Sequence, residues 1–208
     1  MTKSIAVDLH YFPNLEFFAA IAEAEELVFF PEEIYQRQSF FNRAQIRLAN
    51  KVGTLSVPIQ GRRPRVSQNK IKIDSSQNWV NIHLRGIQSA YGKAPFYEYY
   101  FPYFENGFQK NHESLWALNW EMLTICLKLL GSSVKMCMHE KDQDQTWTKD
   151  IRGELMPSVP FSERHYYRPE SYFQLFGLDF DPNLSILDLL FCEGPASKSI
   201  ILKSVKKQ

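Results

Sequence analysis

Ser4-Ile5-Ala6-Val7-Asp8-Leu9-His10 opens the stretch that decides the fold, and Leu27-Val28-Phe29-Phe30 closes it. In the first segment Ile5, Val7 and Leu9 fall on one side, the two-residue period of a half-buried strand. Tyr11-Phe12-Pro13-Asn14 turns the chain. Leu15 to Ala24 then reads as a helix, with Asn14 as its N-cap and Glu16 near the positive end of its dipole. The second segment is a short, unbroken apolar run suited to a buried strand, and Pro31 stops it. Strand, helix and strand in this order predict a βαβ start, and with it an α/β fold.

Working outward, a hairpin follows. Arg43 to Ala49 alternates Ala44, Ile46 and Leu48 with Arg43, Gln45 and Arg47. Asn50 to Gly53 supplies turn chemistry, and Thr54 to Ile59 returns. After a polar, basic loop from Gly61 to Asn69, Lys70 to Ile73 offers a further short strand. The period then becomes helical. Helices are predicted over Trp79–Tyr91 (closed by Gly92), from Pro95 to Phe104, and over His112–Leu130 (closed by Gly131). The last carries Leu115, Leu118, Met122, Ile125 and Leu129 on one stripe, the pattern of a core helix. Val134 to Met138 reads as a strand. His139 to Pro169 shows no period, and aperiodic stretches of that length are usually lids or disordered. Asn183 to Phe191 is a helix broken by Gly194-Pro195, and Ser197 to Lys203 is a last short one. The expected architecture is α/β: one domain over residues 1–208, a βαβ start, a mixed sheet including an antiparallel hairpin, and a helical second half packed on the sheet.

The 208 residues are 44% hydrophobic and 23% charged, which suits a folded core and excludes extended disorder. Asp8 interrupts the first apolar run, so a signal peptide is not expected. Leu115 to Leu130 is too short and too charged to span a bilayer, so no membrane insertion is expected either. Cys126, Cys137 and Cys192 form no Cys-x-x-Cys pair and read as small buried hydrophobes in a cytoplasmic, reducing setting.

Charge is unevenly placed. The first 33 residues hold seven acids against Lys3 alone, whereas Ile34 to Ile73 holds nine bases and no acid. That basic stretch either pairs with the acidic N-terminal third or attracts an anion such as a phosphate, a nucleotide or a carboxylate. Nucleic acid, through Arg62, Arg63, Arg65, Lys70 and Lys72, is not expected, because the chain is not basic overall and has no docking motif.

No glycine-rich phosphate loop, nucleophile elbow or His-Glu-x-x-His appears, and the five histidines lack metal-ligand spacing. No metal is expected and no cofactor is indicated. His10 and His139 end the first and last predicted strands, where ligands of open α/β sheets bind. Asn42-Arg43 opens the basic hairpin, where Arg43 either clamps an anion with two parallel hydrogen bonds or pairs with a glutamate of the first helix. His83 shares a helix face with Ile87, Ala90 and Tyr91, which also suits a buried, satisfied histidine. Phe96 to Phe104 packs seven aromatics into nine positions, more than one core stripe uses. Ser185-x-x-Asp188 has capping-box spacing, so Ser185 is expected to cap a helix, with Asn or Asp able to replace it.

Several ordered blocks resemble the WbqC-like family: Tyr11-Phe12-Pro13, Asn42-Arg43, Leu55-x-Val57-Pro58-Ile59, Trp79-x-x-x-His83, Ser89 to Phe96, Leu118-Asn119 and Asn183 to Pro195. The resemblance implies a bacterial protein of surface polysaccharide (O-antigen) gene clusters with no generally assigned reaction. It strengthens Asn42, Arg43, His83, Tyr91, Ser185 and Asp188 as site candidates. It weakens His10, where relatives carry glutamine.

The resulting expectation is a transferase-like enzyme acting on an anionic, nucleotide-activated sugar or acyl precursor. Arg43 would hold the anion, His83 would be general acid or base with His10 as a further catalytic candidate, and Asp188 would orient them. Asn42, Tyr91, His139 and Ser185 complete the substrate-binding set. The alternative is a non-catalytic binding or assembly protein that uses the Phe96–Phe104 aromatics, including a homodimer through that helix.

Overall fold

The computed structural model describes residues 2–61, 65–140, 146–177 and 179–206. Strand β1 (Ser4–Ala6), helix α1 (Leu15–Ala20) and strand β2 (Glu26–Phe29) form the βαβ start, with β1 and β2 parallel and Ile5 opposite Leu27. Asn14 caps α1 by accepting a hydrogen bond from the Phe17 N–H at 3.1 Å. The helix ends earlier than its apolar pattern suggests. Residues 21–23 turn so that Glu25 N–H can reach the Lys3 carbonyl and start β2 in register. Strand β3 (Arg43–Arg47) and strand β4 (Val52–Ser56) pair antiparallel as expected. They form their own two-stranded sheet, separate from the parallel one.

Between Gln68 and Ile73 the chain makes one 3-10 turn and two isolated bridges, Ile59 to Ile73 and Lys72 to Ser114, instead of a strand. Helices α2 (Trp79–Tyr91), α3 (Tyr97–Gln109) and α4 (Leu115–Leu129) follow. Helix α3 starts later and runs further than predicted, passing through Pro102. Proline deletes the bond that would reach the Glu98 carbonyl, and both residues are on the exposed face of the helix. Gly131 closes α4 at φ +61°, a conformation glycine adopts without cost.

Strand β5 (Lys135–Met138) joins β2 in parallel, and strand β6 (Lys149–Asp150) joins the outer side of β1. The parallel sheet therefore runs β5-β2-β1-β6. Strand β6 lies inside the aperiodic stretch, and two residues are too few to show a period. Helices α5 (Ile186–Glu193) and α6 (Ser197–Ser204) end the chain. The core joins both halves through aromatic rings. Phe12 meets Phe104 and Phe108 edge-on at 5.5 and 6.0 Å, and Phe104 meets Phe191 at 5.8 Å. Phe12 itself sits at φ +42°, a region an aromatic residue enters only when its surroundings hold it there. Among the described residues no helix is long and apolar enough to cross a membrane.

Candidate functional site

Parallel strands send the loops at their carboxyl ends to one edge of the sheet, so three loops meet there. Beyond β1 the chain continues through Val7 to His10, with Val7 N–H bonded to the Val28 carbonyl. Beyond β2 it runs through Pro31 to Phe41, and beyond β6 through Ile151 to Met156. Together they enclose a cleft of about 310 Å³ lined by Asp8, His10, Glu33, Gln36, Ser39, Gln68, Arg152 and Met156.

Arg152 is the best-fixed group of this cleft. Its Nε and Nη2 donate to Asp150 Oδ1 and Oδ2 at 2.9 and 2.5 Å, and its Nη1 donates to Glu33 Oε1 at 2.5 Å. The guanidinium also lies 3.8 Å above the Phe30 ring and 5.5 Å from the Trp147 ring. These hydrogen bonds hold the Asp150 carboxyl below its ordinary range.

Asp8 differs. Burial pushes its carboxyl pKa up, and the negative charges of Glu33 and Asp150 push the same way. The Gly153 N–H, which donates to Asp8 Oδ2 at 2.6 Å, and the Arg152 charge act against this only in part. A carboxyl moved towards neutrality beside a cleft is suited to proton transfer.

His10 forms the inner wall between the rings of Phe17 and Phe40, each 5.3 Å away, and is 2% exposed. Burial, aided by the nearby Arg164 charge, lowers its pKa to about 3, so it is neutral at physiological pH. Its Nδ1 has no hydrogen-bond partner among the described residues. Behind it, buried Glu16 at the start of α1 accepts from Arg164 Nε and Nη2, while Arg164 Nη1 donates to the carbonyls of Met156 and Val159. This pair pins the loop after β6 against α1, and so sets one wall of the cleft.

Of the residues singled out in the sequence, only His10 lines the cleft. His139 follows β5 and lies tilted against the Phe30 ring at 4.6 Å, two strands away from His10 across the sheet order, so the two histidines do not meet. His83 is buried, with Nδ1 2.8 Å from the Tyr11 hydroxyl and Nε2 3.3 Å from the Ser56 carbonyl. The carbonyl can only accept, so Nε2 carries the proton and Nδ1 accepts from Tyr11. Burial lowers its pKa to about 4. Asn42 donates to the Val57 carbonyl and accepts from Tyr35. Arg43 is exposed. Tyr91 accepts from the Arg47 N–H, and buried Asp188 accepts from Tyr172 and Gln174 at 2.7 and 2.9 Å. Ser185 caps α5 by accepting from Leu187 N–H, and donates to the Phe12 carbonyl at 3.1 Å. His83, Arg43 and Asp188 therefore do not converge on this cleft; the first and last are buried inside the protein. Arg62 and Arg63 lie outside the described residues, as do residues 141–145 of the aperiodic stretch.

Sequence reasoning missed Asp8, Glu33 and Arg152. Asp8 carried a signal, a charged residue near the carboxyl end of a strand that begins an α/β unit. Glu33 and Arg152 carried none beyond the length of the segment that holds Arg152.

Among the described residues no group of His, Cys, Asp and Glu is arranged to hold a metal ion. No solved structure matches the chain. It is similar to the uncharacterized protein Rv1507c of Mycobacterium tuberculosis, 23% identical over 225 residues that cover 93% of this chain and 95% of that one. The model of the WbqC-like protein family matches residues 9–155, a span that holds the lining residues named above except Asp8 and Met156. The chain belongs to the WbqC-like protein family.

Proposed function

We propose that this protein is a transferase-like enzyme whose active site is the cleft between Asp8, Glu33 and Arg152. The observation that carries this reading is the position of a half-buried carboxyl with a raised pKa in a cleft at the carboxyl ends of three parallel strands. Asp8 would accept the proton of an acceptor's hydroxyl or amine as that atom's lone pair attacks the donor's electrophilic carbon, and the leaving group departs with the bonding pair. The Ile34–Ser39 wall supplies the place for an anionic donor. Arg37, next to the lining residue Gln36, is exposed, and with Arg43 it lies near enough to Tyr35 to oppose the rise that burial gives its pKa. Arg43 does not line the cleft and has no part in this reading, and proton transfer moves from His83 to Asp8. The family resemblance suggests a nucleotide-activated sugar or acyl donor of surface polysaccharide (O-antigen) biosynthesis, and three unpaired cysteines fit a cytoplasmic setting.

The test is a thermal-shift panel of sugar nucleotides, nucleoside triphosphates and acyl-coenzyme A thioesters against wild type and Asp8→Asn. A shift with one class, and turnover lost at Asp8→Asn, is the expected result. No shift with any class ends this reading.

A second reading, assembly through α3, is favoured by one observation. Tyr97 and Phe104 are buried, but Tyr99 and Tyr103 are 71% and 43% exposed. A homodimer on this face would dissociate in Tyr99→Ala/Tyr103→Ala, read by light scattering. A monomer at all concentrations removes the idea.

A further inference from the structure

Charge in the cleft is unbalanced. Arg152 is the one guanidinium among the described lining residues, and three carboxylates share its field: Asp150 and Glu33 by hydrogen bonds, and Asp8 through space. The neighbouring cation, Arg164, is already matched by Glu16 inside the protein. A neutral His10, 2% exposed and with Nδ1 unpartnered, supplies the inner wall. Buried polar atoms are rarely left without partners, and this one, closed off from solvent on a residue that lines the cleft, is such an exception.

We infer that the acceptor taken by this cleft is a primary amine, bound as its ammonium between Asp8 and Glu33 in front of the buried, neutral His10. This rests on the cleft being the active site. An ammonium has three donors and no acceptor, which matches two carboxylates that can only accept. A hydroxyl in the same place would leave the excess negative charge uncompensated, and an anion would be repelled. His10 contributes shape to the site and no charge that would oppose the ammonium.

The experiment uses the whole chain with glucosamine, glucose and N-acetylglucosamine as probes, read by NMR at the Gly153 amide, whose proton rests on Asp8. Glucosamine is expected to shift that resonance and to bind at least tenfold more tightly than either uncharged sugar. In Glu33→Gln, checked for an unchanged melting temperature, the preference should fall to about twofold; Asp8→Asn provides the second variant if Glu33→Gln fails to fold. Equal binding of the three sugars, or an unchanged preference in both variants, overturns the amine assignment. If glucosamine fails to bind while a sugar nucleotide or acyl-coenzyme A moves Gly153, the amine class is wrong and the cleft stands. If nothing moves Gly153, the cleft reading falls and takes this inference with it.

Discussion

Glu16 and Arg164, 148 positions apart in the chain, hold each other by two parallel hydrogen bonds at 2.7 and 2.5 Å, with the Glu16 side chain entirely out of solvent. Asn183 adds to this knot, its Oδ1 accepting from the Glu16 N–H at 2.8 Å. The first helix, the loop after β6 and the approach to α5 are thus joined at one point. A buried pair of this kind contributes little net stability compared with a well-packed apolar substitute, but breaking it is costly because one charge is left alone.

Glu16→Gln should therefore destabilise by about 3–5 kcal/mol, measured by urea denaturation. Replacing both partners, as in Glu16→Leu/Arg164→Met, should recover most of that loss. If the single variant costs less than about 1 kcal/mol, the pair is not closed in solution.

Tyr11→Phe removes the hydroxyl that satisfies His83 Nδ1 and should cost about 1–3 kcal/mol. A pH effect accompanies it. His83 titrates at about 4 and His10 at about 3 in the fold, both below the ordinary 6.5. As pH falls, the unfolded chain takes up these protons first. The stability held by the neutral rings is complete above 6.5 and drains away between 6.5 and about 3–4. For His83 this amounts to roughly 3 kcal/mol, so His83→Gln should show a shallower loss of stability across that window than wild type. Parallel curves would mean that His83 is not buried as a neutral ring.

Asp8→Asn separates stability from activity. The raised carboxyl pKa means that the fold favours the protonated group, so this contribution is present below the ordinary 3.8 and is lost as pH rises through the folded value. An asparagine Oδ1 still accepts from Gly153 and never ionises. The variant should equal or exceed wild-type stability at pH 8, with the difference closing near pH 4, while turnover drops roughly 10²–10⁴-fold. A variant less stable at pH 8 would show that the carboxylate is held by its neighbours instead.

Ser185→Ala should cost about 1–2 kcal/mol, since Ser185 both caps α5 and donates to the Phe12 carbonyl. The second bond changes the expectation drawn from capping alone. Aspartate can accept from the helix but cannot donate to Phe12, and the site is 1% exposed, so Ser185→Asp should not restore stability. Full recovery by aspartate, read from denaturation midpoints, would reduce the residue to a simple cap.

The sequence disclosed elements whose signals are local. The period of Trp79–Tyr91, the capping oxygens of Asn14 and Ser185, the glycine ending α4 and the strands at Ser4 and Leu27 were all readable because each depends on near neighbours. It did not disclose the cleft. Asp8, Glu33 and Arg152 meet because β6 pairs with β1, and a two-residue strand leaves no periodic trace. The motif residues His83, Asn42, Tyr91 and Asp188 lie outside the cleft and hold hydrogen bonds inside the protein, a placement that single letters do not reveal.

The pairing of Ile5 with Lys149 also has a meaning in time. A ribosome delivers β1 and β2 long before β6, so the outer edge of β1 waits with unpaired backbone groups while most of the chain is made. Exposed parallel edges invite pairing with other chains, and contacts this distant in sequence form slowly. The cleft, whose third loop follows β6, is therefore completed only once that wait is over.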